Sequence, residues 1–79
     1  MMNDIIEKIV NNLKNLGVNI NDTEADFILE NSIDSITFIE IIISLEEEFS
    51  ILMPEEYLLM ERTNTVSKIA TIVEELVRP

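Results

Sequence analysis

The 79-residue sequence predicts an all-α fold, a small four-helix bundle of three longer helices plus one short helix. Three observations carry this reading. Apolar residues recur at helical spacing in three segments, with a weaker fourth between two of them. Hydrophobic residues make up 47% of the composition and aromatic residues only 5%, so the core has to be aliphatic. The chain has no cysteine, so neither disulfides nor thiolate metal sites can staple it, and a chain this short buries only about 60% of its unfolded surface in one compact core. Residues 1–79 are read as one domain.

The first helix is expected from Asn3 to Leu16, with Ile5, Ile6, Ile9, Val10, Leu13 and Leu16 on one stripe and Asn3 or Asp4 as its cap. Gly17, the only glycine, stands just past that stripe, where a helix-ending left-handed conformation favours it. A long connection from Val18 to Asp34 reads as loop, pinned down by Phe27, Ile28 and Ile33. The second long helix is expected from Ser35 to Phe49. Its apolar residues Ile36, Phe38, Ile39, Ile41, Ile42, Ile43 and Leu45 spread over more than one face. The β-branched run Ile41 to Ile43 favours a strand locally, but Glu40, the acidic run Glu46-Glu47-Glu48 and the 3.6-period partners Phe38, Leu45 and Phe49 favour helix. Pro54 suits the first position of a short helix running to Met60, followed by a turn at Arg62-Thr63-Asn64. Thr65 then caps the last helix, whose stripe is Val66, Ile69, Ala70, Ile72, Val73, Leu76 and Val77.

The composition also bounds function. Without histidine the chain lacks the commonest general base, the commonest metal ligand and the usual partner of a catalytic serine, so an autonomous enzyme is not expected and no catalytic or metal-ligating residue is assigned. The spaced acids and central glycine of a calcium-binding loop are absent from any one stretch. The formal net charge is −11, and no Lys or Arg occurs between Thr23 and Glu61. Such a field repels nucleic acid and anionic membranes and attracts proteins with basic patches. No apolar run reaches the roughly 18 residues of a membrane span, and Asp4 and Glu7 stand where a signal peptide would be basic and then apolar. The expected location is the cytoplasm, without membrane insertion.

The informative stretch is Ile33-Asp34-Ser35-Ile36, where the long connection meets the second long helix. A serine there has an exposed hydroxyl at a helix start, where backbone N–H groups and the helix dipole favour an anion. No histidine is available to activate Ser35, and the nearest lysine in sequence, Lys14, belongs to another helix. The serine is therefore better read as the substrate of another enzyme than as a catalyst. For an Asp-Ser pair taken alone, plain helix capping is the stronger reading, because the dipeptide is common at helix starts.

Taken together, Ile33-Asp34-Ser35-Ile36, Glu40, Leu45-Glu46-Glu47-Glu48-Phe49, Ile51, Pro54 and Thr65-Val66 resemble the acyl carrier protein family. That family opens its second helix on Asp-Ser-Leu, closes it on Leu-Glu-Glu-Glu-Phe and places a proline soon after. The resemblance implies that Ser35 receives 4'-phosphopantetheine from coenzyme A through a Mg²⁺-dependent phosphopantetheinyl transferase. The arm's thiol then holds acyl groups as thioesters, which gives thiol chemistry to a chain without cysteine. It also implies that Asp34, Glu40 and Glu47 meet basic docking patches of acyltransferases, ketosynthases or acyl-activating enzymes, around an apolar strip of Ile36, Ile39 and Ile43. Phe27, Phe38, Ile41, Ile42 and Leu45 are implied to line an acyl cavity. The expected product is a free-standing, monomeric carrier of bacterial type serving fatty-acid, polyketide or related lipid biosynthesis.

Three positions depart from the family pattern. Ser32 stands where a glycine is common, and a left-handed conformation there would cost about 1 kcal/mol. Thr37 stands where fatty-acid carriers often have an acid, which bears on whether the chain serves the general fatty-acid synthase. Phe38 replaces a smaller cavity residue, and its ring is expected to shorten or block the cavity. The alternatives are an aminoacyl or peptidyl carrier, a D-alanyl carrier, or an acidic helical adaptor in which Ser35 is only a cap. Paired glycines before the serine, typical of peptidyl carriers, are absent, and Ile36 replaces the aromatic usual after the serine of D-alanyl carriers.

Overall fold

A computed structural model describes residues 2–78. Among them the chain is helical and contains no strand. Helix α1 spans Met2–Asn15, α2 Phe27–Glu30, α3 Ser35–Phe49 and α4 Val66–Val77, with two 3₁₀ turns at Glu55–Tyr57 and Met60–Arg62. Helix α1 packs against both α3 and α4. The enclosed core is aliphatic around two phenylalanines: Ile9 and Leu13 from α1, Phe27 and Ile28 from α2, Phe38, Ile41, Ile42 and Leu45 from α3, and Val66, Ile69, Ala70, Ile72 and Val73 from α4.

The three longer helices stand where the sequence places them, and α3 matches to the residue. Three expectations are corrected. Helix α1 begins at Met2, so Asn3 and Asp4 lie within its first turn, and Leu16 falls outside the helix and outside the core at 41% exposure. The supposed loop from Val18 to Asp34 contains the four-residue helix α2, with Asp26 Oδ1 accepting the Leu29 N–H at 2.9 Å. The short helix expected from Pro54 to Met60 does not form. Pro54 and Leu59 hold extended conformations, which leaves two separate 3₁₀ turns, the second including Arg62. The backbone at Leu59 (φ −105°, ψ 133°) interrupts any continuous helix.

Helices α1, α2 and α3 all end in the same device. The Val18 N–H reaches back to the Leu13 carbonyl and the Gly17 N–H to Lys14, with Gly17 left-handed at φ 85°. At the end of α2 the Ile33 N–H reaches Ile28 and the Ser32 N–H reaches Leu29, with Ser32 at φ 52°. At the end of α3 the Ser50 and Ile51 N–H groups both reach the Glu46 carbonyl, with Ser50 at φ 55°. Serine thus occupies twice the conformation that glycine takes at least cost. The expected strain at Ser32 is present.

Candidate functional site

The chain reversal at Ser32 delivers Ile33, Asp34 and Ser35 to the start of α3. Ile33 is half-buried against the core, which fixes the direction from which the chain enters the helix. Asp34 is the N-cap: its Oδ1 accepts the Thr37 N–H at 2.8 Å and its carbonyl accepts the Phe38 N–H at 2.9 Å. The Thr37 N–H bond, first of all, holds its carboxyl below the ordinary aspartate range. Asp34, not Ser35, therefore caps α3. Ser35 is the first helical residue and is exposed, with its hydroxyl outside the cap.

The loop behind this corner is tied to the start of α4. The Phe27 N–H donates to the Asn64 carbonyl and the Ser67 N–H to the Thr23 carbonyl, each at 3.0 Å. Asn64 Nδ2 donates to Asp26 Oδ2 at 2.8 Å, and Lys68 Nζ donates to Asn64 Oδ1 at 2.9 Å. The Asp26 carboxyl is lowered chiefly by the Leu29 N–H, with smaller contributions from Asn64 and the Lys68 charge. Asn31 closes the other side: its Oδ1 accepts the Asn19 N–H, and its Nδ2 donates to the Asn19 and Phe27 carbonyls.

Along α3 the sequence-predicted residues separate into two sets. Ile36, Ile39 and Ile43 are 72%, 50% and 49% exposed, and Asp34, Glu40 and Glu47 are exposed with them. Phe27, Phe38, Ile41, Ile42 and Leu45 are all buried. The acidic run divides likewise. Glu46 turns inward, and its Oε2 accepts the Met53 N–H at 2.7 Å, whereas Glu47 and Glu48 face solvent.

A surface groove of about 360 Å³, lined by Leu16, Glu40, Ile43, Ser44 and Glu47, runs between the end of α1 and the middle of α3. Sequence reasoning assigned Glu40, Ile43 and Glu47 to the outer face but placed Leu16 in the core and left Ser44 unassigned. The position of Leu16 at the residue just before Gly17 was the available signal, because the stripe ends one turn earlier at Leu13.

An exposed hydroxyl at the N-terminus of a 15-residue helix suits a covalent phosphodiester. Asp34 accepts the Thr37 and Phe38 N–H groups, so those of Ser35 and Ile36 remain at the helix mouth, and the helix dipole favours an anion there. The Asp34 carboxylate is drawn onto the Thr37 N–H, which moderates its repulsion of a neighbouring phosphate. No described helix is long and apolar enough to cross a membrane. No curated protein sequence and no solved structure matches the chain. The family described as "Phosphopantetheine attachment site" matches residues 6–73, which include α2, α3 and all of the buried core residues. Domains of this family are carriers that hold 4'-phosphopantetheine covalently on a serine and meet transferases and biosynthetic enzymes. The chain belongs to this phosphopantetheine-attachment family, as its resemblance to acyl carriers implies.

Proposed function

We propose that Ser35 is the serine that receives 4'-phosphopantetheine, and that the chain is an acyl carrier rather than an enzyme. The observation that carries this is the division of labour at the start of α3: Asp34 makes the cap and leaves the adjacent Ser35 hydroxyl exposed and uncommitted. A residue serving only as a cap would have its oxygen on a backbone N–H. The arm supplies a terminal thiol that carries acyl groups as thioesters.

The outer face of α3 is the docking surface in this reading. Asp34, Glu40 and Glu47 present charge around Ile36, Ile39 and Ile43, an arrangement complementary to basic patches on a phosphopantetheinyl transferase and on acyltransferases, ketosynthases or acyl-activating enzymes. The Phe38 ring packs within the core among the residues assigned to an acyl cavity. It supports a carrier that gives a long chain little shelter. The carrier acts as a monomer in the cytoplasm, within fatty-acid, polyketide or related lipid synthesis.

The test is intact mass after incubation with coenzyme A, Mg²⁺ and a broad-specificity phosphopantetheinyl transferase, wild type beside Ser35→Ala. Wild type gains one phosphopantetheine and the variant none. The variant keeps its stability to within about 0.5 kcal/mol, because the substituted residue is exposed and is not the cap. Loading at another serine overturns the assignment to Ser35, and no loading of folded wild type beside a carrier that loads favours the adaptor reading. Charging the thiol with fatty acyl, aminoacyl or D-alanyl groups by their activating enzymes then separates the carrier classes.

A further inference from the structure

The corner that carries Ser35 depends on α2, a helix of four residues, which gains too few backbone bonds to offset its own nucleation. Its place is therefore set by ties from outside. At its start the Asn64 carbonyl accepts the Phe27 N–H at 3.0 Å, and Asn64 Nδ2 donates to Asp26 Oδ2 at 2.8 Å. At its end the Ser32 N–H donates to the Leu29 carbonyl and the Ile33 N–H to the Ile28 carbonyl, at 3.2 and 2.9 Å. Ser35 follows Ile33 by two residues. A series of bonds thus runs from Asn64 to the threshold of α3. Charge dictates which way the Asn64 amide faces. Lys68 Nζ donates to its Oδ1 at 2.9 Å, while the Asp26 carboxylate accepts from its Nδ2. Turning the amide over would set its oxygen against the carboxylate and its hydrogens against the ammonium. Lys68 Nζ is itself held by the Glu61 carbonyl at 3.0 Å. No Lys or Arg occurs between Thr23 and Glu61, so α4 supplies the cation that locks this bridge.

We propose that Asp26, Asn64 and Lys68 are positioning residues for phosphopantetheine transfer, steadying the α2 corner so that the Ser35 hydroxyl meets the transferase in one place. The inference rests on the carrier reading and deepens it. None of the three residues belongs to α3, so the bridge acts on the orientation of a bound serine and not on the docking face. A wandering hydroxyl lowers the share of bound carriers in reacting geometry, and that loss falls on kcat. KM, set by the untouched face of α3, stays as it is.

The experiment measures initial loading rates against carrier concentration, with coenzyme A, Mg²⁺ and the transferase, at a temperature where the proteins are folded by circular dichroism. Asp26→Asn keeps an oxygen for the Leu29 N–H but turns a donor toward Asn64, and Lys68 stops Asn64 from turning over to meet it. Asn64→Asp sets two carboxylates face to face. Each is expected to lower kcat about fivefold or more and to keep KM within about twofold. The two variants move the net charge in opposite directions from −11, so a shared loss is not a long-range charge effect. In the double variant the amide and the carboxylate exchange places and the net charge is again −11. Its kcat is expected to return to within about twofold of wild type. Asp26→Asn and the double variant decide the matter even where Asn64→Asp alone does not fold. Val10→Ala, which weakens the packing of α1 away from the bridge, is expected to load at the wild-type rate. Single variants that load like wild type, a loss in KM with kcat kept, a double variant that stays slow, or an equal kcat loss in Val10→Ala would each overturn the positioning role and leave the carrier reading standing. Wild type that fails to load beside a carrier that loads overturns the carrier reading, and the positioning role with it.

Discussion

Asp34 Oδ1 lies 2.8 Å from the backbone nitrogen of Thr37, so the carboxylate beside the candidate serine is first of all the cap of α3. Its pKa is lowered by that bond, as the pKa of Asp26 is lowered by the Leu29 N–H. A carboxyl with a depressed folded pKa contributes stability that is fully present above its unfolded value and is lost as pH falls through the folded value. Urea midpoints are therefore expected to hold from neutral pH down to about 4 and to drop below it. Asp34→Asn, whose amide oxygen still caps, flattens part of that drop, and Asp26→Asn flattens another part. An acid limb unchanged in both variants would contradict the assignment.

Glu46 and Glu47 are neighbours with opposite duties. Glu46 holds the Met53 N–H at a half-buried site, whereas Glu47 faces solvent. Glu46→Ala is expected to cost about 1–2 kcal/mol by orphaning that donor. Glu47→Ala is expected to change stability by less than about 0.5 kcal/mol. Chemical denaturation of the two variants side by side decides it, and equal losses would refute the division.

The left-handed serines offer a gain. Ser32→Gly and Ser50→Gly each remove a Cβ from a positive-φ position, at φ 52° and 55°. Each is expected to stabilise the chain by about 0.5–1 kcal/mol, after the glycine's larger unfolded-state entropy is subtracted. Additivity in the double variant is the second half of the expectation, because the two sites terminate different helices. Calorimetric melting measures both.

Phe38 sets the last expectation. Truncation to alanine removes a buried ring and costs about 3 kcal/mol. An acyl chain attached through Ser35 restores more stability to Phe38→Ala than to wild type, because it fills the vacated space. Thermal melts of the acylated and unacylated pairs read this directly. Equal stabilisation of both proteins would mean that the ring does not obstruct the chain.

How much of this was legible in the sequence differs by element. Helix α3 was readable to the residue because its start has a strong cap in Asp34 and its body has an apolar period long enough to register. Helix α2 was not, since four residues cannot display a period. It exists because Asp26 and Asn31 bind its two ends and Phe27 reaches the core. The segment after Pro54 misled in the other direction. Tyr57 and Met60 pack at a helix-like spacing of three, but Leu58 and Leu59 between them are exposed, and a helix that short gains too little from two contacts to offset its nucleation. Ser35 and the face of α3 were visible as chemistry and pattern. The groove was not, because it depends on how the end of α1 sits beside α3.

The ties between the α2 loop and the start of α4 have a mechanical meaning. Ser35 is set by a corner whose upstream backbone hangs on residues near the other end of the chain, through Phe27 to Asn64 and Thr23 to Ser67. Unravelling of the start of α4 would release those two bonds and the backbone that leads into α3. The corner ahead of α3 is in this way tied mechanically to the docking of α4.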